Sequence, residues 1–314
     1  MKLSEVQQFA DLLSAYKNRE INNETFENAI IEEGAILSNM YQELEMDSHS
    51  VDCLNDINYD KDNVQLHSHS FYEILYCQSG NIQYLLGTNR YQVKKGDIIF
   101  IPPGVSHRPL YLDKLVEPYA RYVLWINPDF IKSTASDWNF HLLNEPVLFR
   151  TGGSNWEHLK KYFEQAYQEY QIKQEGYEAC IRSLTITLLI YITRALSHSK
   201  HIEPLVEKKE LLDEVLDYID LHLNDKISLK TTAEHFYISE KQLSRLFSFK
   251  MEVTFYKYVT QRRLIAAKTY ILNNEPIETI YDKVGFSDYS TFYRAFKKAY
   301  SLSPQQFKKL HHLC

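Results

Sequence analysis

The sequence predicts an α+β multidomain protein, with a β-rich domain set between helical segments and an all-α module at the C-terminal end. Three observations carry this. Short β-prone runs separated by turn pairs fill residues 64 to 126, helical periodicity precedes and follows them, and charge is divided unevenly along the chain. The 314 residues leave room for more than one domain at about 100–200 residues each. A 44% hydrophobic and 24% charged composition, with nine Gly and nine Pro, excludes disordered and collagen-like chains.

Residues 1–50 read as an N-terminal helical extension. Leu3, Val6, Phe9, Leu12 and Leu13 recur at helical spacing, and no glycine intervenes before Gly34. The opening MKLSEVQQFADLL carries acidic residues and no apolar core closed by small residues, so it is not a signal peptide and a cytoplasmic location is expected. In the β-rich part, FYEILYC, NIQYLL, DIIFIP and RYVLWI are punctuated by Ser79-Gly80, Lys95-Gly96 and Pro103-Gly104, the pattern of a compact sandwich or barrel. Helical periodicity returns near Asn155. Trp156, Leu159, Phe163, Ala166, Tyr167 and Tyr170 form one stripe, and Ile181, Leu184, Leu188 and Ile192 form another. The longest apolar stretch, Leu184 to Ile192, falls short of the roughly 20 residues a membrane span requires. No membrane partner is expected. Residues 197–207 are polar with one Pro and read as a linker, and the pattern from 208 to 314 is helical. Cys53, Cys77, Cys180 and Cys314 lie far apart, without the spacing of a disulfide framework or zinc knuckle, so reduced thiols are expected.

The net charge of −6 would argue against a nucleic-acid ligand if the chain were one electrostatic unit. From Lys226 to Cys314, however, 15 Lys and Arg face only 7 Asp and Glu. A basic terminal module beside an acidic body is the footprint of a protein that touches phosphate with one end. The module has the matching organisation. A short helix from Leu229 to Phe236 is followed by a break and by Ser239-Glu-Lys-Gln242, whose Ser-x-x-Gln form is a capping box that starts a second helix. Two short helices joined by a tight turn are a helix-turn-helix, whose second member can lie in a major groove. The unit recurs: Ile277 to Val284, a turn at Gly285-Phe286-Ser287-Asp288, then Tyr289 to Lys298. Leu243 pairs with Phe292, Arg245 with Arg294 and Phe247 with Phe296, each 49 positions apart, and Phe255 to Leu272 reads as one longer helix between the copies.

The strings ISEKQLSRLF, YVTQRRLIAAKTYIL and VGFSDYSTFYRAFKKAYSLSPQQF make residues 208 to 314 similar to the DNA-binding domain of the AraC/XylS family of bacterial transcription regulators. Three positions depart from that family's pattern. Glu252 and Ser301 stand where a glycine usually follows each recognition helix as a left-handed stop, and Tyr281 replaces a small residue. The resemblance implies promoter DNA and RNA polymerase as partners. Helix phase exposes Lys241, Gln242, Ser244 and Arg245 on the first reader and Tyr289, Ser290, Tyr293 and Arg294 on the second. Arg245 and Arg294 are the candidates for base contacts, because a guanidinium can fork onto guanine O6 and N7. Lys250, Lys297 and Lys298, near the helix ends, are candidates for phosphate. Gln242 is divided between capping and base reading.

His67-Ser-His69-Ser-Phe-Tyr-Glu73 with Gly80, and then Gly96, Pro102-Pro-Gly104 and His107, resemble the two motifs of cupin barrels over residues 60 to 126. Lys61 and Tyr111 stand where those motifs carry Gly and Asn. In cupin enzymes the equivalents of His67, His69, Glu73 and His107 hold one divalent metal, a sensible donor set for iron, nickel, manganese or zinc. The same residues, with Tyr84, could instead line a sensor pocket for a small effector such as a sugar, or merely pack the barrel. Which of Tyr72, Tyr76 and Tyr84 point inward stays open. The expected organisation is a cupin-like sensing and dimerisation domain over 51–196 and a double helix-turn-helix domain over 208–314. The expected function is a sequence-specific, effector-responsive transcriptional activator of carbohydrate-related genes, homodimeric through a helix after the barrel. No enzyme activity and no cofactor are expected. The alternatives are a metal-dependent cupin enzyme with an accessory helical domain and an effector-independent regulator with a structural barrel.

Overall fold

The computed structural model describes residues 46–59, 64–111, 115, 117–134, 144–198, 210–300 and 302–312. Most of the N-terminal extension, most of the linker, and Lys61, Ser301 and Cys314 lie outside these. Two antiparallel sheets form the first domain. The larger contains β1 (Val51–Asn58), β7 (Tyr119–Ile126), β2 (Tyr72–Ser79), β5 (Asp97–Ile101) and β8 (Val147–Arg150), in that spatial order. The smaller orders β4 (Asn89–Lys94), β3 (Asn81–Leu86) and β6 (His107–Leu110), and a His67–His107 bridge ties the chain before β2 to β6. A short helix, α1 (Pro128–Thr134), follows β7.

The β-rich expectation stands but stopped short at both ends, because β1 and β8 lie outside residues 64 to 126; within that span β4 and β6 went unread for local reasons. NRYQVK in β4 lacks a clean apolar alternation, and β6 contains Pro109. A proline cannot donate to a ladder, which suits the edge position β6 occupies. Alternation along β2 divides two cores. Ile74 and Tyr76 join the layer between the large sheet and the helices, while Leu75 and Cys77 join the interior between the sheets. The helical layer comprises α2 (Lys160–Ile172) and α3 (Tyr177–His198). Leu159, Phe163 and Ala166 of the expected stripe are buried against the sheet, as are Ile181, Leu188 and Ile192.

The Leu184–Ile192 stretch understated its helix. Tyr177–Ser197 is long and apolar enough to cross a membrane, with a mean hydropathy of 1.4. Ser183, Thr187 and Thr193 donate to carbonyls one turn back and so sit within the helix, while the buried Thr185 hydroxyl has no partner among the described residues. Here the helix closes the core instead: Ile181, Leu188, Leu189 and Ala195 are each at most 2% exposed.

The second domain comprises α4 (Leu211–Leu221), α5 (Leu229–His235), α6 (Glu240–Lys250), α7 (Phe255–Leu272), α8 (Ile277–Lys283), α9 (Tyr289–Tyr300) and α10 (Pro304–His312). The capping box read from Ser239 and Gln242 is present: the Ser239 hydroxyl accepts from Gln242 N at 3.2 Å, and Gln242 Oε1 accepts from Ser239 N at 2.9 Å. At the matching point of the second unit, Asp288 Oδ1 accepts from Thr291 N at 2.8 Å. Leu243, Phe247, Phe292 and Phe296 are fully buried, while Arg245 and Arg294 stay exposed, so the duplication holds in three dimensions. Glu252 adopts the left-handed conformation expected at its helix stop, with φ 51°. The bulky Tyr281 is accommodated half-buried at the rim of the second core, 6.3 Å from the Tyr289 ring.

Candidate functional site

Three of the four motif residues converge between the sheets. Glu73 projects inward from β2. His107 opens β6, and His69 precedes β2, its carbonyl accepting from Gly104 N at 2.8 Å. His69 Nε2 lies 3.3 Å and His107 Nε2 3.0 Å from Glu73 Oε2, with all three side chains buried. The His67 ring stands beside them, 4.3 Å from that of His107. Trp125 on β7, directly opposite Glu73, donates from Nε1 to Glu73 Oε1 at 3.0 Å.

Backbone carbonyls set the tautomers. Nδ1 of His67, His69 and His107 lies 2.8–2.9 Å from the carbonyl oxygens of Gln65, Phe71 and Val105 respectively. A carbonyl can only accept, so each Nδ1 carries the proton and a neutral ring presents its Nε2 lone pair. Burial lowers the pKa of His69, and that of His67 well below its ordinary value, which keeps both rings neutral. Burial alone would raise Glu73; His107 and His69 draw its carboxyl well below the usual range only through positive charge at Nε2, whether a ring proton or a shared cation. His107 Nε2 is buried without a hydrogen bond of acceptable geometry. Lone pairs from His69 and His107 and an ionised Glu73 thus meet within 4.8 Å, a donor set that fits a divalent metal with its ligands oriented through backbone bonds.

Of the three tyrosines left open, only Tyr84 belongs to the interior. Tyr72 packs against Phe100 and Tyr76 against Phe163 on the helix-facing side. Burial pushes the Tyr84 hydroxyl well up, leaving it a neutral donor. The sequence reading missed Tyr111, Tyr119, Arg121 and Trp125 near it. Arg121 pairs with Asp56, its register partner on β1, and its guanidinium sits 4.9 Å from the Tyr119 ring centroid. A lone Arg in the otherwise apolar RYVLWI was the available signal, but its partner depended on a strand pairing that one sequence does not display.

On the second domain, Lys241, Gln242, Ser244, Arg245, Ser290, Arg294, Lys297 and Lys298 are exposed, Tyr289 is 37% exposed and Tyr293 is half-buried. Lys250 departs from this face. Five residues beyond Arg245 it is turned about 140° around the helix, and it forms an ion pair with Glu210. Gln242 is committed to its cap.

The two domains meet along the outer face of the small sheet. Leu66, Leu85 and Leu110 share one core with Leu212, Val215 and Phe247. Arg90 reaches Asp213 at 2.7 Å and Glu210 at 2.8 Å. Two α7 cations reach the neighbours of the site histidines: Lys268 donates to the Ser68 carbonyl at 3.2 Å, and Arg262, paired with Asp220, donates to the Ser106 hydroxyl. A cleft of about 590 Å³ opens beside them, bordered by Thr88, Ser106, Arg262 and Tyr270.

Comparison with known proteins agrees with both halves. Residues 53–189 match the AraC-like ligand binding domain family, and residues 232–310 match a helix-turn-helix domain family. The uncharacterized HTH-type transcriptional regulator YfiF of Bacillus subtilis is 27% identical over 79% of this chain and 80% of its own. The HTH-type transcriptional activator RhaS of an Enterobacter species is 24% identical over 77% of this chain and 87% of its own. A solved Listeria innocua protein of unknown function is 33% identical, covering 33% of this chain and 99% of its own, with a TM-score of 0.32.

Proposed function

Since this chain belongs to the AraC family of transcription regulators, with a helix-turn-helix DNA-binding module and a ligand-binding domain, we propose that it is an effector-responsive activator of carbohydrate-related genes. The observation that carries the reading is the short path from the histidine cluster to the DNA reader. Ser68 lies between His67 and His69, Ser106 precedes His107, and both serines are held by α7, which joins the two recognition helices. A ligand that moves either histidine strand shifts the docking of sensor on reader, provided that it binds one arrangement more tightly than the other. Tyr84, Arg121 and the histidines, as aromatic faces with hydrogen-bonding groups, suit a polyol. The activator RhaS, among the relatives, is in keeping with the direction of regulation.

Arg245 and Arg294 read bases, Lys297 and Lys298 hold phosphate, and bound DNA is presented to RNA polymerase in the cytoplasm. The outer side of α3, where Leu184, Ile186, Ile190 and Tyr191 remain partly exposed, serves as a homodimer contact. The test is binding of the full chain to labelled DNA from upstream of its own gene, with salt titration and an unrelated fragment as control. Specific, salt-steep binding that an Arg245→Ala/Arg294→Ala variant loses is expected. Equal binding to every sequence in a genomic selection would reject the proposal.

A second reading, favoured by the buried His107 Nε2, places a divalent metal in the sensor. His69, Glu73 and His107 would hold it beside His67, and it would supply a fixed positive charge for an effector oxygen. Stoichiometric metal in purified protein, lost in His69→Ala with the fold intact, is the expected result. Metal-free protein that takes up none on addition of zinc, nickel, manganese or ferrous iron would end this reading.

A further inference from the structure

We propose that Phe249 is a sequence-reading residue of the first recognition helix, packing on a thymine methyl in the major groove. The proposal rests on the assignment of the Arg245 face to DNA. The Phe249 side chain is 78% exposed on α6, outside the core that buries Leu243 and Phe247. Lys241, Arg245 and Phe249 succeed one another at four-residue steps, so they form one lane spanning about 80° of the helix surface. Gln242 and Ser248, also exposed, flank it. The ring therefore continues the DNA-facing surface one turn beyond Arg245.

The internal duplication sharpens the point. The same lane of α9, 49 positions on, carries Ser290, Arg294 and Lys298, all exposed. The central arginine is shared and its flanks are exchanged. The first reader has a cation before the arginine and an aromatic ring after it; the second has a small hydroxyl before it and a cation after it. A lysine in that last position can meet phosphate. A phenyl ring cannot, and it gains only by leaving water against an apolar group. Among the groups that base pairs display in the major groove, the thymine C5-methyl is the apolar one. The two half-sites are therefore chemically unequal, and the first contains a required thymine next to the base read by Arg245.

The experiment selects duplexes from a random library with the full-length chain, then replaces each thymine of the selected site by deoxyuridine, which removes only the methyl. One replacement, in the first half-site, is expected to weaken wild-type binding by about fourfold, the worth of one buried methyl. Phe249→Ala should bind the thymine and deoxyuridine sites equally. Phe249→Lys should also lose the preference while steepening the salt dependence by about one phosphate contact. Both substitutions sit on an exposed side chain, and an unchanged urea midpoint checks the fold. If no replacement weakens wild-type binding, or if all three proteins respond alike, the proposal is overturned. It is equally overturned if Phe249→Ala loses promoter activation in a reporter while its DNA selection stays wild-type, because the face then belongs to a protein. In either case an Arg245→Ala variant that still loses its selected site leaves the recognition-helix assignment standing. If Arg245→Ala keeps the site, that assignment falls as well.

Discussion

Glu73 and Tyr72 are neighbours with opposite fates, because consecutive strand residues face opposite sides of a sheet. The same rule governs the thiols. Cys53 faces the helix layer and Cys77 the interior, and both are 1% exposed. Burial pushes the Cys77 thiol up to about 12 and that of Cys53 higher still, whereas Cys180 lies exposed on α3. Thiolate is the reactive form. Iodoacetamide at pH 8 should therefore alkylate Cys180 in the native protein and reach Cys53 and Cys77 only after denaturation, as peptide mass analysis will read. Native labelling of Cys77 would contradict the closed interior described here. Spacing alone led to the expectation of free thiols, which Cys53, Cys77 and Cys180 are, but their ranking by reactivity was not legible, since it depends on which sheet face each strand residue occupies.

At the scale of the element, the two helix-turn-helix units differ most at their turns. Each passes through a left-handed residue after its first helix: Tyr237 with φ 55° in the first unit and Gly285 with φ 84° in the second. Glycine adopts that conformation without the clash a Cβ brings. Tyr237 is 97% exposed and buries nothing in compensation. Tyr237→Gly should raise stability by about 0.5–1 kcal/mol, read as a higher urea midpoint. At Gly285 the opposite holds. An added Cβ would stand 2.1 Å from the Leu223 carbonyl oxygen and 2.9 Å from Arg263 Nη2. That carbonyl also accepts from Arg263 Nε at 3.0 Å, so it is pinned where α4 ends against α7. Gly285→Ala should cost about 2 kcal/mol or more. A neutral result would mean that the helix pair yields more readily than this packing implies. Helices α5 to α9 were readable nearly to the residue, because caps, turn residues and apolar period agree there. Strands β4 and β6 were not, since NRYQVK lacks an apolar alternation and β6 carries Pro109, so their pairing with β3 has no local signature.

At the scale of the whole molecule, the sensor is docked on the reader while both recognition faces stay open to solvent. The junction mixes an apolar seam with charge. Arg108 is 3% exposed and donates to the Met251 carbonyl, while its buried Nε has no partner among the described residues. A buried cation so sparsely satisfied is costly, which marks a contact able to separate. Around the rim, Lys250 and Arg90 pull the Glu210 carboxyl down to about 2. A carboxyl depressed in the folded state contributes fully above its ordinary value of 4.5, and that contribution fades as pH falls from there and is gone once pH passes below about 2. Docking should therefore be indifferent to this group between about pH 6 and 9. Because Glu210 is half-exposed, salt should loosen the clamp instead. Small-angle scattering is expected to show an expanded chain at about 1 M salt, or at low salt in Arg90→Ala, and no change across that pH range. An Arg90→Ala chain as compact as wild type would show that the apolar seam alone holds the domains.

Taken alone, the sequence determined the β-rich and helical domains, the duplicated reader, its buried and exposed lanes and the histidine motif. Each of these is written in local spacing, in helix phase, strand alternation or cap chemistry, which a linear chain displays directly. Tertiary structure decided that Lys250 pairs with Glu210 away from the Arg245 lane, that Arg121 meets Asp56 across the strands, and that α7 grips the serines beside the histidines. These contacts join residues tens to hundreds of positions apart, and only folding selects which distant surfaces meet, because burial of apolar area sets the docking and the charges then settle into the geometry it leaves.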